Sequence, residues 1–400
     1  MALISRMSAP PLKTVFISSF VPRECGIATF VEDVINAVSG HNVGCKVIAM
    51  NRPGQQLAYD RRVMMTVQED RLPDYLAAAA AINRGRYDVL SVQHEFGIFG
   101  GVECNHLATF LEMIEIPVVT TFHTILKEPS PVMRRNLRAV ANRSDAIVVM
   151  NSLAVALLDK VYGIDTKRVH VVHHGAPEVH AGRRHTIKND LKLKGHKIIS
   201  TFGLLSSGKG LEYAIQAMPR VVRAHPDALY LVLGQTHPVI KQQEGEKYRD
   251  LLKAMARNAG ISEQIIFVDK YFTKAELVAY LLATDVYLTP YLNMEQITSG
   301  TLAYAMACGR PLVSTPYLYA QFLLGEDRGL LVPPRDPDSI ADACLRILDQ
   351  PELKARMEST NWQYGRQMLW PQVGQEYSHI FRQLITAPVA SAGYLPARAT

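Results

Sequence analysis

Short apolar runs of strand length recur along the chain, separated by stretches whose apolar residues return every three or four positions. KTVFISS (13–19), CKVIAM (45–50), DVLSVQ (88–93), PVVTT (117–121), DAIVVM (145–150) and RVHVVH (168–173) read as strands. After a basic stretch the alternation restarts with KIISTFG (197–203), ALYLVLG (228–234), QIIFVD (264–269), DVYLTP (285–290), PLVST (311–315) and GLLV (329–332). Runs so continuously apolar belong to parallel sheets covered on both faces. The pattern therefore predicts an α/β chain of two doubly wound, Rossmann-like domains, residues 1–180 and 181–367, with a cleft between them. A closing helix is expected over 368–386 and a flexible tail over 387–400.

Composition changes this picture little. With 400 residues and 48% hydrophobic content, two cores are affordable in size. No apolar run reaches the roughly 18 residues of a membrane span. MALISRMSAPPLKTVFISSF lacks a secretory pattern, so a cytoplasmic location is expected, with at most peripheral membrane contact. A formal charge of +6, spread along the chain, suits a small anionic ligand and gives no support to nucleic acid binding. The basic segment GRRHTIKNDLKLKGHK (182–197) reads as a solvated linker. Five cysteines without CxxC spacing suggest neither disulfides nor zinc, only small buried apolar groups. The triplet Asp336-Pro337-Asp338 reads as a capped helix start, so no metal is expected. Nothing in the sequence speaks to oligomeric state.

Candidate chemistry lies just past the strands, where open parallel sheets bind ligands. Gly26 follows the first strand, and after others come His94 with Glu95, His123 with Thr124, His173 with His174, Thr236 with His237, and a loop around Glu295. Two helix starts add anion-binding character through their free N–H groups. In ITSGTLAYAMACG, Thr298 or Ser299 would cap, Gly300 leaves the approach open and Gly309 ends the helix. In FGLLSSGKGLEYAIQAM, Ser206, Ser207 and Gly208 turn into a helix headed by Lys209; Gly210 follows the lysine, so this is no P-loop. Together the two ends would grip a diphosphate.

GIATF (26–30), TTFHT (120–124), VVHHG (171–175), GLLSSGKG (203–210) and YAMACGRPLVSTP (304–316) occur in the order seen in the retaining glycosyltransferases of family 4, and the chain resembles that family from about residue 13 to 386. The resemblance implies a GT-B fold whose last helix packs back on the first domain. It also implies metal-independent transfer of a hexose from a UDP- or GDP-sugar, a co-substrate with no further cofactor, to a hydroxyl of a saccharide, lipid or small polyol. Carried over by position, Gly203, Leu205, Lys209 and Gly210 match the diphosphate-binding pattern, but Leu204 stands where the family has Arg. Tyr304 and Gln296 stand where it has two Glu, with Glu295 one place upstream. The implied catalytic set is His123, Lys209, Glu295 and Gln296. The implied donor set is Gly26, Gly203, Ser207, Lys209, His237, Thr298, Ser299, Gly300, Thr301 and Tyr304. Arg23, His94, Glu95 and His174 fall to the acceptor side. A phosphorylase or synthase that uses phosphate or sugar phosphate, and a nucleotide-sugar-binding protein without catalysis, stay open beside this reading.

Overall fold

The structure, a computed structural model, describes residues 10–179, 184–325 and 327–386. Its strands form two wholly parallel sheets. The first is ordered β3-β2-β1-β4-β5-β6-β7: β1 Leu12–Ser18, β2 Val43–Asn51, β3 Val63–Gln68, β4 Val89–His94, β5 Val118–Phe122, β6 Ala146–Val149 and β7 Val169–Val171. The second is ordered β10-β9-β8-β11-β12-β13: β8 Lys197–Phe202, β9 Ala228–Leu233, β10 Ile265–Val268, β11 Val286–Thr289, β12 Leu312–Ser314 and β13 Gly329–Leu331. Strands β4, β9 and β11 are buried at every residue, because helices cover both faces of each sheet.

Strand β3 is the one that the apolar runs did not announce. It lies at a sheet edge, and its mostly alternating half-buried and exposed residues carry no continuous apolar signal.

Each sheet reverses its winding once. Strand β1 is flanked by β2 and β4, and β8 by β9 and β11, so the chain leaves these pairs in opposite directions and a crevice opens beyond their carboxyl ends. The helix Trp370–Thr386 lies against the helix Gly26–Ser39 beside the first sheet. Phe381 meets Phe16 edge-on at 6.3 Å, Tyr377 bonds Thr121 at 2.9 Å, and a Cβ on Gly374 would come within 2.7 Å of Ala37. The boundary expected at 180/181 and the tail 387–400 lie outside the described residues. Among those residues, no helix is long and apolar enough to cross a membrane, and all five cysteines are free, three of them buried.

The solvated-linker reading of 182–197 is corrected from Arg184 onward. Residues Arg184–Asp190 form a helix whose cations serve the second core: Arg184 and Lys188 reach the buried Asp285 at 2.6 and 2.8 Å, and Lys354 joins them. The Ile198 amide also donates to this carboxylate, at 2.8 Å. Burial works to raise the pKa of Asp285, but its three cationic neighbours hold it well below the usual range. Its stabilising effect is therefore complete above about pH 4 and fades on acidification. Asp285→Asn should lower the unfolding free energy by about 3–5 kcal/mol at neutral pH, since it strands three cations; urea denaturation followed by circular dichroism measures it, and a change under 1 kcal/mol would contradict this role.

Candidate active site

At the β8/β11 crevice the chain turns tightly. Gly203 has φ +136°, a conformation that only glycine adopts readily, and it lies in van der Waals contact with Thr301 on the helix Gly300–Ala307. Lys209 does not head a helix, which corrects the sequence reading. It ends the 3₁₀ turn Ser207–Lys209, Gly210 follows in the left-handed region, and the next helix starts at Leu211 with its first amide bonded to the Tyr248 hydroxyl at 3.0 Å. The cationic contribution of this segment thus comes from the Lys209 side chain and not from a free helix end. Ser207 is exposed on the same turn.

Tyr291 joins the two candidate anion-binding features. The Lys209 ammonium lies over its ring, 3.8 Å from the centroid, and its hydroxyl bonds Thr301 at 3.0 Å. Lys209 has no hydrogen-bonded or ion-paired acceptor among the described residues, and desolvation lowers its pKa to about 8. Ser299 caps the Gly300 helix, its hydroxyl accepting from the Leu302 amide, and Thr298 offers its carbonyl to the Gln296 side chain at 2.9 Å. His237 caps another short helix, Pro238–Glu244, through Nδ1. Gly26 opens its own helix behind a Cys25 cap, and a Cβ there would meet nothing within 4 Å.

The histidines divide into two groups. Phe30, on the Gly26 helix, gathers His123, His174 and Trp370 around its ring at 4.8, 5.0 and 5.4 Å. His123 Nε2 faces Gln93 Oε1 at 3.0 Å, and the Gln93 amide nitrogen donates to Ser91 and Thr121, so the histidine donates from Nε2 and leaves Nδ1 bare. Burial, with His174 and His94 adding to it, lowers its pKa to about 3. His174 donates from Nδ1 to the Gly175 carbonyl at 2.8 Å and turns Nε2 toward the start of the Gly300 helix, where a Cβ on Gly300 would be 2.8 Å away. Its pKa falls to about 4 through burial. This residue, expected on the acceptor side, therefore meets the second sheet's machinery. His94, in contrast, is enclosed by Phe96, Phe99 and Phe122 in the first core, its pKa lowered to about 4 by burial. Glu95 is held by Thr124 at 2.8 Å and the Phe96 amide at 2.9 Å, and burial raises its pKa. Arg23 is spent partly on the Met50 carbonyl, at 3.2 Å. Glu295 remains half-buried on its loop, close enough to act on Tyr162 electrostatically, while Gln296 folds back into the loop.

Several contacts across the crevice have no signature in the sequence. Tyr304 donates to Asp33 at 3.4 Å, and Lys274 pairs with the same carboxylate. Burial raises the Asp33 pKa, against the pull of Lys274. Thr29 bonds Tyr271 at 3.0 Å, Gln235 donates to Glu24 at 2.7 Å, and Asn151 donates to the Ile297 carbonyl at 2.6 Å. Asp336 caps the helix Pro337–Asp349, as its sequence context suggested, and accepts from Ser339.

Comparison with known proteins fits this arrangement. The family model described as Glycosyltransferase Family 4 matches residues 25–178, and that described as Glycosyl transferases group 1 matches residues 196–350. The chain belongs to glycosyltransferase family 4. A D-inositol 3-phosphate glycosyltransferase of Corynebacterium urealyticum is 27% identical over 257 residues, 62% of this chain and 59% of that relative, so the match spans about three fifths of its length. A GDP-mannose-dependent monoacylated alpha-(1-6)-phosphatidylinositol monomannoside mannosyltransferase of Corynebacterium glutamicum is 22% identical over 63% of this chain and 66% of its own. In fold, this family 4 chain matches a sucrose-phosphate synthase of Thermosynechococcus elongatus (TM-score 0.75, 16% identity, 94% of this chain and 100% of that one). It also matches the Anabaena HepE structure in complex with UDP-glucose (TM-score 0.71, 14% identity, 93% and 100%). The architecture is GT-B.

Asp33→Ala removes the acceptor shared by Tyr304 and Lys274. It should destabilise the chain by about 1–3 kcal/mol and speed amide exchange in both the Gly26 helix and residues 271–276. Exchange confined to one of the two segments would show that Asp33 does not link the lobes.

Proposed function

We propose that the chain transfers a hexose from a nucleotide sugar to an acceptor hydroxyl with retention of anomeric configuration and without a metal ion. One observation supports this most: Tyr291 holds the unpaired ammonium of Lys209 beside the Ser299-capped start of the Gly300 helix, two positive features one ring apart at the β8/β11 crevice. A diphosphate fits such a pair, because amide dipoles and an ammonium both favour anions. In this reading Gly203 and Ser207 line the phosphate approach, Thr298, Ser299, Gly300 and Thr301 form the helix-start cradle, and the Gly26 amide faces the phosphates from the other lobe. His237 and Tyr304 flank the nucleotide. The two lobes take the donor on the second sheet and the acceptor on the first.

The chemistry follows from charge. The bond between the anomeric carbon and the phosphate oxygen breaks, the acceptor oxygen forms its bond on the same face, and the departing diphosphate receives the hydroxyl proton. Lys209 and the fixed amides are already in place for the charge that grows on the leaving oxygens. His123 remains neutral with Nδ1 free, so it serves as an acceptor for a sugar hydroxyl and not as an acid. Glu295 and Gln296 supply further polar contacts to the sugar. Arg23, His94 and Glu95 belong to the acceptor lobe, His94 and Glu95 by shaping it from behind, while His174 reaches from that lobe to the start of the Gly300 helix. An open groove of about 600 Å³, rimmed by Arg134, Arg135 and Arg138, lies on that lobe. The names of the relatives favour a polyol acceptor. The D-x-D triplet is occupied in capping, and the described residues contain no cluster of three or more His, Cys, Asp or Glu that could hold a metal.

Lys209→Ala should lower turnover roughly 10²- to 10³-fold, measured by release of nucleoside diphosphate from a donor panel; unchanged turnover removes Lys209 from the mechanism. A pH effect accompanies it. The free ammonium loses its proton near pH 8, whereas a bound diphosphate favours the charged form. Affinity for UDP or GDP should therefore be full below pH 8 and fall about tenfold per unit above it, with proton uptake on binding near pH 8.5. Titration calorimetry in buffers of different ionisation enthalpy detects that uptake, and its absence contradicts the contact.

A further inference from the structure

The Lys209 loop carries one cation for a ligand that brings at least two negative charges. Leu204 lines the same small cavity as Gly203 and Lys209 and adds only apolar surface. The opposite lobe holds a guanidinium that no described residue uses. Arg52 follows β2 directly, at the carboxyl end of the first sheet. Its backbone is fixed on both sides: its amide donates to Gln55 Oε1 at 3.3 Å, and its carbonyl accepts from the Gln55 amide at 2.9 Å. Its half-buried side chain makes no hydrogen bond or ion pair among the described residues. Glu69 feels the charges of both Arg23 and Arg52, with burial as the larger influence on it, yet bonds neither.

A short series of contacts brings the Arg52 segment to the part of the crevice that carries Lys209. Arg23 grips the carbonyl of Met50, two residues before Arg52. Glu24, next to Arg23, receives Gln235 across the crevice at 2.7 Å. His237 stands two residues beyond Gln235, and its pKa is lowered by burial first and then by the charges of Arg52 and Lys209. The guanidinium of one lobe and the ammonium of the other thus both lie close enough to act on the same imidazole.

We propose that Arg52 supplies, from the first lobe, the second positive charge for the donor diphosphate, where Leu204 leaves the Lys209 loop apolar. The inference rests on the nucleotide-sugar reading above and deepens it. A guanidinium binds phosphate oxygens in a two-pronged manner that a single ammonium cannot reproduce. Because the two cations sit on different lobes, the diphosphate itself bridges the crevice.

The test is titration calorimetry of the full chain with UDP, GDP, inorganic pyrophosphate and glucose 6-phosphate. For whichever nucleoside diphosphate binds the wild type, Arg52→Ala should weaken affinity on the order of 10- to 100-fold, pyrophosphate in parallel, and Arg52→Lys should retain part of it. Adding Leu204→Arg to Arg52→Ala should recover most of the loss, since it returns the charge from the other lobe; a merely structural role for Arg52 would not be rescued there. Arg52→Ala and Arg52→Lys both binding within twofold of wild type overturns the proposal while leaving the donor reading intact. A selective loss of glucose 6-phosphate binding also overturns it, by assigning Arg52 to an acceptor phosphate. A wild type that binds no nucleoside diphosphate overturns both readings.

Discussion

A half-buried, desolvated ammonium with no carboxylate partner among the described residues sits at the centre of the crevice. Burying such a charge is unfavourable unless something compensates it. At Lys209 the compensation within the protein is one aromatic face, worth on the order of 0.5–2 kcal/mol, and the remainder appears as a pKa lowered to about 8. Asp285 shows the opposite solution in the same domain, a buried carboxylate surrounded by three cations and an amide. One charge is satisfied by the fold; the other has no anionic partner among the described residues, and the proposed diphosphate would supply one. That contrast separates a structural ion cluster from a binding group better than either residue's burial does.

The geometry around Lys209 follows from topology. Where β8 meets both β9 and β11, the two emerging loops diverge, and only a close approach between them can build a site. Gly203 permits that approach to Thr301, and Gly234, at φ +139°, permits a second, since a Cβ there would lie 2.1 Å from the Gly203 carbonyl oxygen. Tyr291 then fills the remaining space and links the lysine to the helix start. Removing any of these would separate the positive features without touching the charge itself.

Much of the fold was legible because parallel strands buried on both faces must be apolar throughout, and the edge strands β7, β10 and β13, though less buried, still carry apolar runs. Strand β3 did not announce itself, because its half-buried edge position tolerates Thr66 and Gln68 among its apolar residues. The Arg184 helix was mistaken for solvated chain because a charge run looks the same whether its partner is water or a carboxylate about a hundred residues away. Lys209 was placed at a helix start because Gly210 resembles an ordinary small residue in sequence, whereas its left-handed conformation delays the helix to Leu211. Positions that bear on each lobe alone could be listed from strand ends. Asp33, Lys274 and Tyr271 could not, since their relevance comes only from the way two separate sheets face each other.

Tyr304 shows what such facing does to chemistry. A carboxylate offers only acceptor sites, several of them. The phenol that stands here already directs its proton toward Asp33, and burial keeps that proton in place at any physiological pH. What remains at its oxygen is acceptor capacity, so a ligand hydroxyl meeting Tyr304 must donate, as it would to a carboxylate, but to one oxygen instead of two. The substitution thus keeps the polarity of the contact while halving its valence and tying it to a carboxylate on the other lobe. A hydroxyl met at this position is thereby tied to the contact between Asp33 on the Gly26 helix and Tyr304 on the Gly300 helix.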